Sequence, residues 1–170
     1  MSADSRFIRP AAPADLPLLA DIELRAASLF PERDLPPALR GAALPADELW
    51  QAQTAGLLWV AEDGGQVAGF ALAETLDDQL HLAEMDVDPE HARRGLGGML
   101  LARVVAHAGR LGHAAVTLTT FSHLPWNAPF YRRHGFVEIA PPPGSQLAAR
   151  LWEEAALGLA RRVAMRRAIV

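Results

Sequence analysis

Val87-Asp88-Pro89-Glu90-His91-Ala92-Arg93-Arg94-Gly95-Leu96-Gly97-Gly98 joins two stretches of different period. Upstream, His81-Leu82-Ala83-Glu84-Met85-Asp86-Val87 alternates with a period of two, as a strand does, and puts Glu84 and Asp86 on one face. Pro89 ends that strand. Downstream, Leu96, Met99, Leu100, Val104 and Leu111 recur at helical spacing, with Gly109 and Gly112 as stop signals. The stretch is therefore a strand, a glycine-rich turn and the start of an amphipathic helix. A helix start leaves several amides without internal acceptors and carries a partial positive charge, so glycines there let an anion come close. Arg93 and Arg94 add mobile positive charge.

Which phosphate ligand is meant is narrowed by what is missing. A nucleotide P-loop ends in Gly-Lys-Ser/Thr, whereas Gly97-Gly98 is followed by Met99-Leu100. A dinucleotide fingerprint needs a third glycine at Leu100 and an acidic residue about 20 positions on, where Val116 to Thr120 stands. Neither pattern fits.

Outward from the turn the chain alternates strands and helices. Phe7-Ile8 reads as a first strand left at Pro10, and Asp15 as the N-cap of a helix running to about Phe30. Prolines from Pro31 to Pro45 break any long helix and leave a flexible or short-helical connection, suited to a substrate lid, before a helix from Ala46 to about Ala55. Leu57 to Ala61, the turn Asp63-Gly64-Gly65, and Val67 to Ala73 form a strand, hairpin and strand, with a further turn near Asp77-Asp78. After the central helix come a strand at Ala115 to Thr120, a short helix at Pro129 to Arg133 and a strand at Phe136 to Ile139. A helix over Leu147 to Leu157 and a closing strand over Arg162 to Val170 complete the order. No internal repeat or boundary divides the chain, so residues 1–170 are expected to form a single α/β domain.

Composition removes several classes of function. There is no cysteine, which excludes disulfides, thiolate metal ligands and a cysteine nucleophile together. A net charge of −4, with no long basic run apart from the arginines of 161–167, argues against nucleic acid as partner. No apolar run approaches the roughly 20 residues of a membrane span. Met1 to Arg9 lacks the apolar core of a signal peptide, so a cytoplasmic protein is expected.

A second stretch, Trp126-Asn127-Ala128-Pro129-Phe130-Tyr131-Arg132-Arg133-His134-Gly135-Phe136, follows at a suitable distance. Val87-x-Pro89 with Arg93-Arg94-Gly95-Leu96-Gly97 resembles the acetyl-CoA motif of the GNAT family, the GCN5-related N-acetyltransferases. Phe130-Tyr131 followed by Gly135-Phe136 resembles that family's second signature. The resemblance implies a mixed, mostly antiparallel central sheet of about seven strands flanked by helices. It also implies acetyl-CoA as co-substrate. Backbone groups of Met85, Asp86 and Val87 would pair with the pantetheine arm, and Arg93, Arg94, Gly95, Leu96, Gly97 and Gly98 would hold the pyrophosphate. Two positions depart from the family pattern. Ala92 stands where Arg or Gln is customary, which shifts the grip to the backbone, and the asparagine usual near Leu124 is absent, leaving Asn127 as the candidate for its role.

Presenting an alkyl ammonium of pKa near 10.4 as a free amine at pH 7 costs about 4.6 kcal/mol, so a base or water relay is useful. Glu84 is the first candidate, with Asp86 and His81 behind it. The departing thiolate needs a proton; a phenol of pKa near 10 stays protonated beside a thiol of about 8.5. Tyr131, the only tyrosine, fits and by resemblance sits where GNAT tyrosines reach the cofactor sulfur. The six histidines contain no pair at one-turn helical spacing, so no metal is expected. Trp50, Trp59, Phe121 and Trp126 are aromatic candidates for an acceptor pocket. The expected acceptor is a small-molecule primary amine. A protein or peptide amine uses the same chemistry, and a non-catalytic acyl-CoA sensor would keep the turn without needing Tyr131 or Glu84. A homodimer is left open.

Overall fold

The computed structural model describes residues 5–170. Seven strands form one sheet in the order β1-β2-β3-β4-β5-β7-β6. The strands are β1 Phe7–Pro10, β2 Leu58–Asp63, β3 Gln66–Leu76, β4 Gln79–Val87, β5 Ala115–Phe121, β6 Val137–Ile139 and β7 Arg162–Ala168. Pairing is antiparallel for β1–β2, β2–β3, β5–β7 and β6–β7, and parallel for β4–β5. The helices are α1 Leu16–Ala27, α2 Pro37–Arg40, α3 Ala46–Thr54, α4 Leu96–Arg110, α5 Ala128–Arg133 and α6 Gln146–Ala156. The mixed, mostly antiparallel sheet with flanking helices is the expected architecture. No described helix is long and apolar enough to cross a membrane.

Contacts divide the chain into two compact units, one of Met1–Ala73 with Glu84–Val104 and one of Glu74–Ala83 with Val105–Val170. In the first, Leu58, Trp59, Val60 and Ala61 are all buried, so β2 is covered on both faces and reads as a continuous apolar run. Leu19 and Ile22 of α1, Leu49 of α3, Phe70 of β3, and Leu96 and Leu100 of α4 belong to the same buried apolar set. The β2–β3 hairpin turns at Gly64 and Gly65, both in the left-handed region at φ 62° and 79°. That is the backbone a tight two-residue hairpin requires. The register slips between Ala61 and Glu62, so Ala68 of β3 is skipped, and its carbonyl instead accepts from the Asp88 amide at 2.8 Å.

The second unit buries Leu80 and Leu82 of β4, Val116 and Leu118 of β5, Met165 of β7, Leu147 of α6 and Phe136. It turns tightly at Asp77-Asp78, with both residues left-handed at φ 51° and 58°. Aspartate tolerates this conformation better than most residues, and here it has further work. The Asp77 carboxylate accepts from the amides of Gln146 and Leu147 at 2.9 and 3.0 Å, capping α6 from another part of the chain.

Two expectations change. Asp15 precedes α1 but does not cap it with its side chain; its carboxylate instead takes the Ala12 amide at 2.7 Å and both terminal nitrogens of Arg9. The fork-to-fork pair with Arg9 holds Asp15 below the usual carboxylate range. The helix also ends at Ala27, three residues before Phe30, with turn bonds carrying the chain onward.

Candidate functional site

The turn after β4 is held by hydrogen bonds from its own side chains. Asp88 opens it: its Oδ1 accepts from the Glu90 amide at 3.1 Å, and its Oδ2 accepts from Arg25 of α1 at 2.5 Å. Burial pushes the Asp88 carboxyl up, but the Arg25 and Glu90 hydrogen bonds outweigh it and the group titrates low. Asp63, at the end of β2, offers one oxygen to two donors, His91 Nδ1 at 2.9 Å and Arg94 Nη1 at 2.8 Å. These bonds, His91 foremost, hold the Asp63 carboxyl low. Arg94 also has its carbonyl bonded by Arg6. Its guanidinium is therefore tethered at the turn, where the sequence suggested a mobile charge.

Arg93 is exposed and left-handed at φ 61°, and Gly95 is left-handed at φ 82°. The Met99 amide donates to the Gly95 carbonyl, so α4 opens there. The amides of Leu96, Gly97 and Gly98 stand at the start of a 15-residue helix, where no internal acceptors exist. An anion at that end meets amides and the positive end of the helix together. A cleft of about 580 Å³ nearby is lined by Arg9, Arg25 and His91. Arg9, Arg25 and His91 are already engaged by Asp15, Asp88 and Asp63 respectively, so the cleft offers a ligand little unpaired charge.

Glu84 and Asp86 lie together as their shared parity requires, and the structure adds a residue that sequence reading missed. Glu23 of α1 joins them, each side chain offering an oxygen within 4.8 Å of the others. Asp86 Oδ2 is sealed from solvent and accepts no hydrogen bond. Burial, Glu84 and Glu23 together push the Asp86 carboxyl well above its ordinary range. Glu23 is raised to about 7, chiefly by burial, despite accepting from the Leu44 amide at 2.8 Å. That bond fastens the proline-rich segment to the cluster. Met85 and Val87 alternate with the acids along β4 and are half-buried.

His81 is corrected as a candidate base. It is odd-numbered in a strand whose acids are even-numbered, it is 1% exposed, and its Nδ1 lies 2.9 Å from Thr117 Oγ1. Burial lowers its pKa to about 3, so it is a neutral core imidazole.

In the second unit, Tyr131 of α5 is 8% exposed, with ring-edge contacts to Phe130 at 5.2 Å and Phe136 at 5.8 Å. Asn127 precedes the helix; its Nδ2 donates to the Trp126 carbonyl at 3.3 Å, while its Oδ1 is buried without a partner. Of the aromatic pocket candidates, Trp59 and Phe121 are core, whereas Trp50 and Trp126 are exposed.

The raised Glu23 gives a pH prediction. A carboxyl that titrates near 4.5 when unfolded and near 7 when folded holds its proton more tightly in the folded state. Stability is thus lost as pH rises through that window. His81 acts oppositely below pH 6.5, so wild type alone mixes the two effects. Glu23→Gln removes the first, together with the part of the upward push on Asp86 that Glu23 supplies, which has the same sign, and leaves His81 alone. Its melting temperature relative to wild type should be most favourable at and above pH 7, and this advantage should fade toward pH 4.5. A difference constant across that range would refute the assignment.

Residues 54–138, half of the chain, match the family model for the acetyltransferase (GNAT) domain. The fold is shared with Rv2747 from Mycobacterium tuberculosis, solved with CoA, at 20% identity and TM-score 0.72, covering 96% of this chain and 99% of that one. It is shared too with the ribosomal-protein-S18-alanine N-acetyltransferase of Escherichia coli, at 22% identity and TM-score 0.68, over 96% and 94% of the two chains. N-acetylglutamate synthase from Neisseria gonorrhoeae, solved with coenzyme A and N-acetyl-glutamate, matches at 17% identity and TM-score 0.74, over 99% of this chain and 36% of that one. With its glycine turn opening α4 and half its length matching the family model, this chain belongs to the GNAT family of acetyltransferases.

Proposed function

We propose that residues 1–170 act as one cytoplasmic catalytic domain that moves the acetyl group of acetyl-CoA to a primary amine of a small molecule by direct attack. The observation that carries the reading is the turn itself: a left-handed Gly95 leads into a long helix whose first amides face no internal acceptor. Such an end suits a pyrophosphate, with Arg93 to Gly98 around it, while Met85 to Val87 would take the pantetheine and Asn127 Oδ1, buried and unpartnered, an amide of that arm. CoA in the solved relatives is consistent with this.

In the reaction the amine nitrogen bonds to the thioester carbon and the carbon–sulfur bond breaks. Glu84, directly or through water, takes the proton that the amine gives up. Tyr131 gives its phenolic proton to the leaving sulfur. No acyl-enzyme is needed, because the amine attacks directly.

Acetyl-CoA at about 100 times its dissociation constant should stabilise the protein by about 2.7 kcal/mol, a rise of roughly 5–10 °C in melting temperature. Gly97→Leu, which places a side chain at the anion end of α4, should remove most of that rise. No shift with any acyl-CoA would sink the reading. Thiol release on adding amines then tests transfer itself; a thermal shift without release from any amine would point to a sensor.

A further inference from the structure

The residues leading into α4 hold two left-handed backbones two positions apart, Arg93 at φ 61° and Gly95 at φ 82°. Glycine adopts that conformation freely, whereas the β-carbon of arginine opposes it. A residue so placed persists only where its surroundings dictate the shape. Around Arg93 one carboxylate oxygen does so from both sides. Asp63 Oδ2 accepts from His91 Nδ1 at 2.9 Å and from Arg94 Nη1 at 2.8 Å, and so grips the chain before and after Ala92-Arg93. Asp63 is itself fixed, 9% exposed and paired with Gln66 at the close of the β2–β3 hairpin.

Charge alone does not explain an acid in this place. A carboxylate beside a turn that receives an anion repels the anion, and it also engages Arg94, whose charge the anion would otherwise meet. Ala92, where the family pattern has arginine or glutamine, leaves the grip to backbone amides. Amides hold an anion only when they converge on it, which depends on the shape of the turn. We infer that Asp63 is a positioning residue for acetyl-CoA: by holding His91 and Arg94 it keeps the backbone of 91–95 in the form that receives the pyrophosphate. The inference rests on the acetyl-transfer reading above and adds to it a residue from another strand.

The test is calorimetric titration with coenzyme A of wild type, Asp63→Ala and Asp63→Asn, each first shown to unfold cooperatively. Charge and position predict opposite signs. Removing a negative charge beside an anion site tightens binding in both variants, by an amount that salt screens. Losing the brace weakens it instead. The expected result is a dissociation constant raised at least fivefold in Asp63→Ala, and less in Asp63→Asn, whose carbonyl oxygen can still accept from His91 and Arg94. The loss should persist at high salt. Arg94→Gln should add little to Asp63→Ala, since both break one contact. With any amine that supports thiol release, KM for acetyl-CoA should rise while kcat stays within twofold. Asp15→Ala is the control for a general loss of stability: Asp15 is also buried and bonded to an arginine, but its partners are Arg9 and the Ala12 amide. It should unfold more easily and bind coenzyme A as wild type does. Unchanged or tighter binding by Asp63→Ala, or an equal weakening by Asp15→Ala, would overturn the inference and leave the cofactor reading in place. If Asp63→Ala does not fold, Asp63→Asn decides by the same sign. Wild type that binds no acyl-CoA would defeat the cofactor reading, and the inference with it.

Discussion

Tyr131→Phe is expected to lower kcat by about 10²-fold or more, the usual span for a general acid, while KM for acetyl-CoA stays within about threefold. The substitution isolates the hydroxyl. The ring is 8% exposed and packs edge-on against Phe130 and Phe136, contacts that phenylalanine reproduces at nearly the same volume. On the proposed mechanism, what disappears is the phenolic donor to a leaving thiolate whose conjugate acid has a pKa near 8.5. An acetyl thioester of a more acidic thiol departs without needing that proton, so it should recover much of the variant's deficit. A purely structural tyrosine gives the same deficit with both thioesters. Unchanged kcat in the variant would remove Tyr131 from the mechanism.

The sequence reached some parts of this molecule and not others, for reasons that lie in the range of the interactions. Periodicity located β4 and α4, and the Asp63-Gly64-Gly65 hairpin is confirmed because left-handed glycines are a local requirement of the turn. Glu84 and Asp86 were found together because parity along one strand is local as well. Glu23 was not, since its membership depends on how α1 packs, which helical spacing does not encode. Asp63 looked like a turn residue and proved to be the hydrogen-bond acceptor that ties His91 and Arg94 into the turn before α4, 28 and 31 positions away. Asp15 had the right place for a cap, but Arg9 and the Ala12 amide compete for the same oxygens and win. The prolines of 31–45 forecast a broken segment; the four-residue α2 lies within it, and the Leu44 bond to Glu23 gives the segment an anchor that no composition reveals.

Gly69→Ala is expected to destabilise the fold by about 1–3 kcal/mol and to depress turnover beyond that loss. A β-carbon at this position would stand 2.7 Å from the Asp86 carbonyl oxygen and 3.3 Å from the Val87 α-carbon, and the first contact is one that real structures essentially never show. Both obstacles include backbone, so no side-chain rotation relieves them. Gly69 pairs with Ala61 just where the β2–β3 register slips, and Ala68 beside it already gives its carbonyl to the Asp88 amide. The backbone that must yield is therefore Asp86-Val87, which carries one acid of the carboxylate cluster and leads into the turn of α4. Gly64→Ala provides the comparison. Its added β-carbon meets nothing within 4 Å, so only the left-handed φ of 62° resists it, at a cost of about 1–2 kcal/mol. Denaturant unfolding and kcat/KM measured on both variants separate strain from displacement. Gly64→Ala should lose stability and keep its activity once folded, whereas Gly69→Ala should lose both. A Gly69→Ala protein as active per folded molecule as wild type would show that the Asp86-Val87 backbone can shift without consequence for the site.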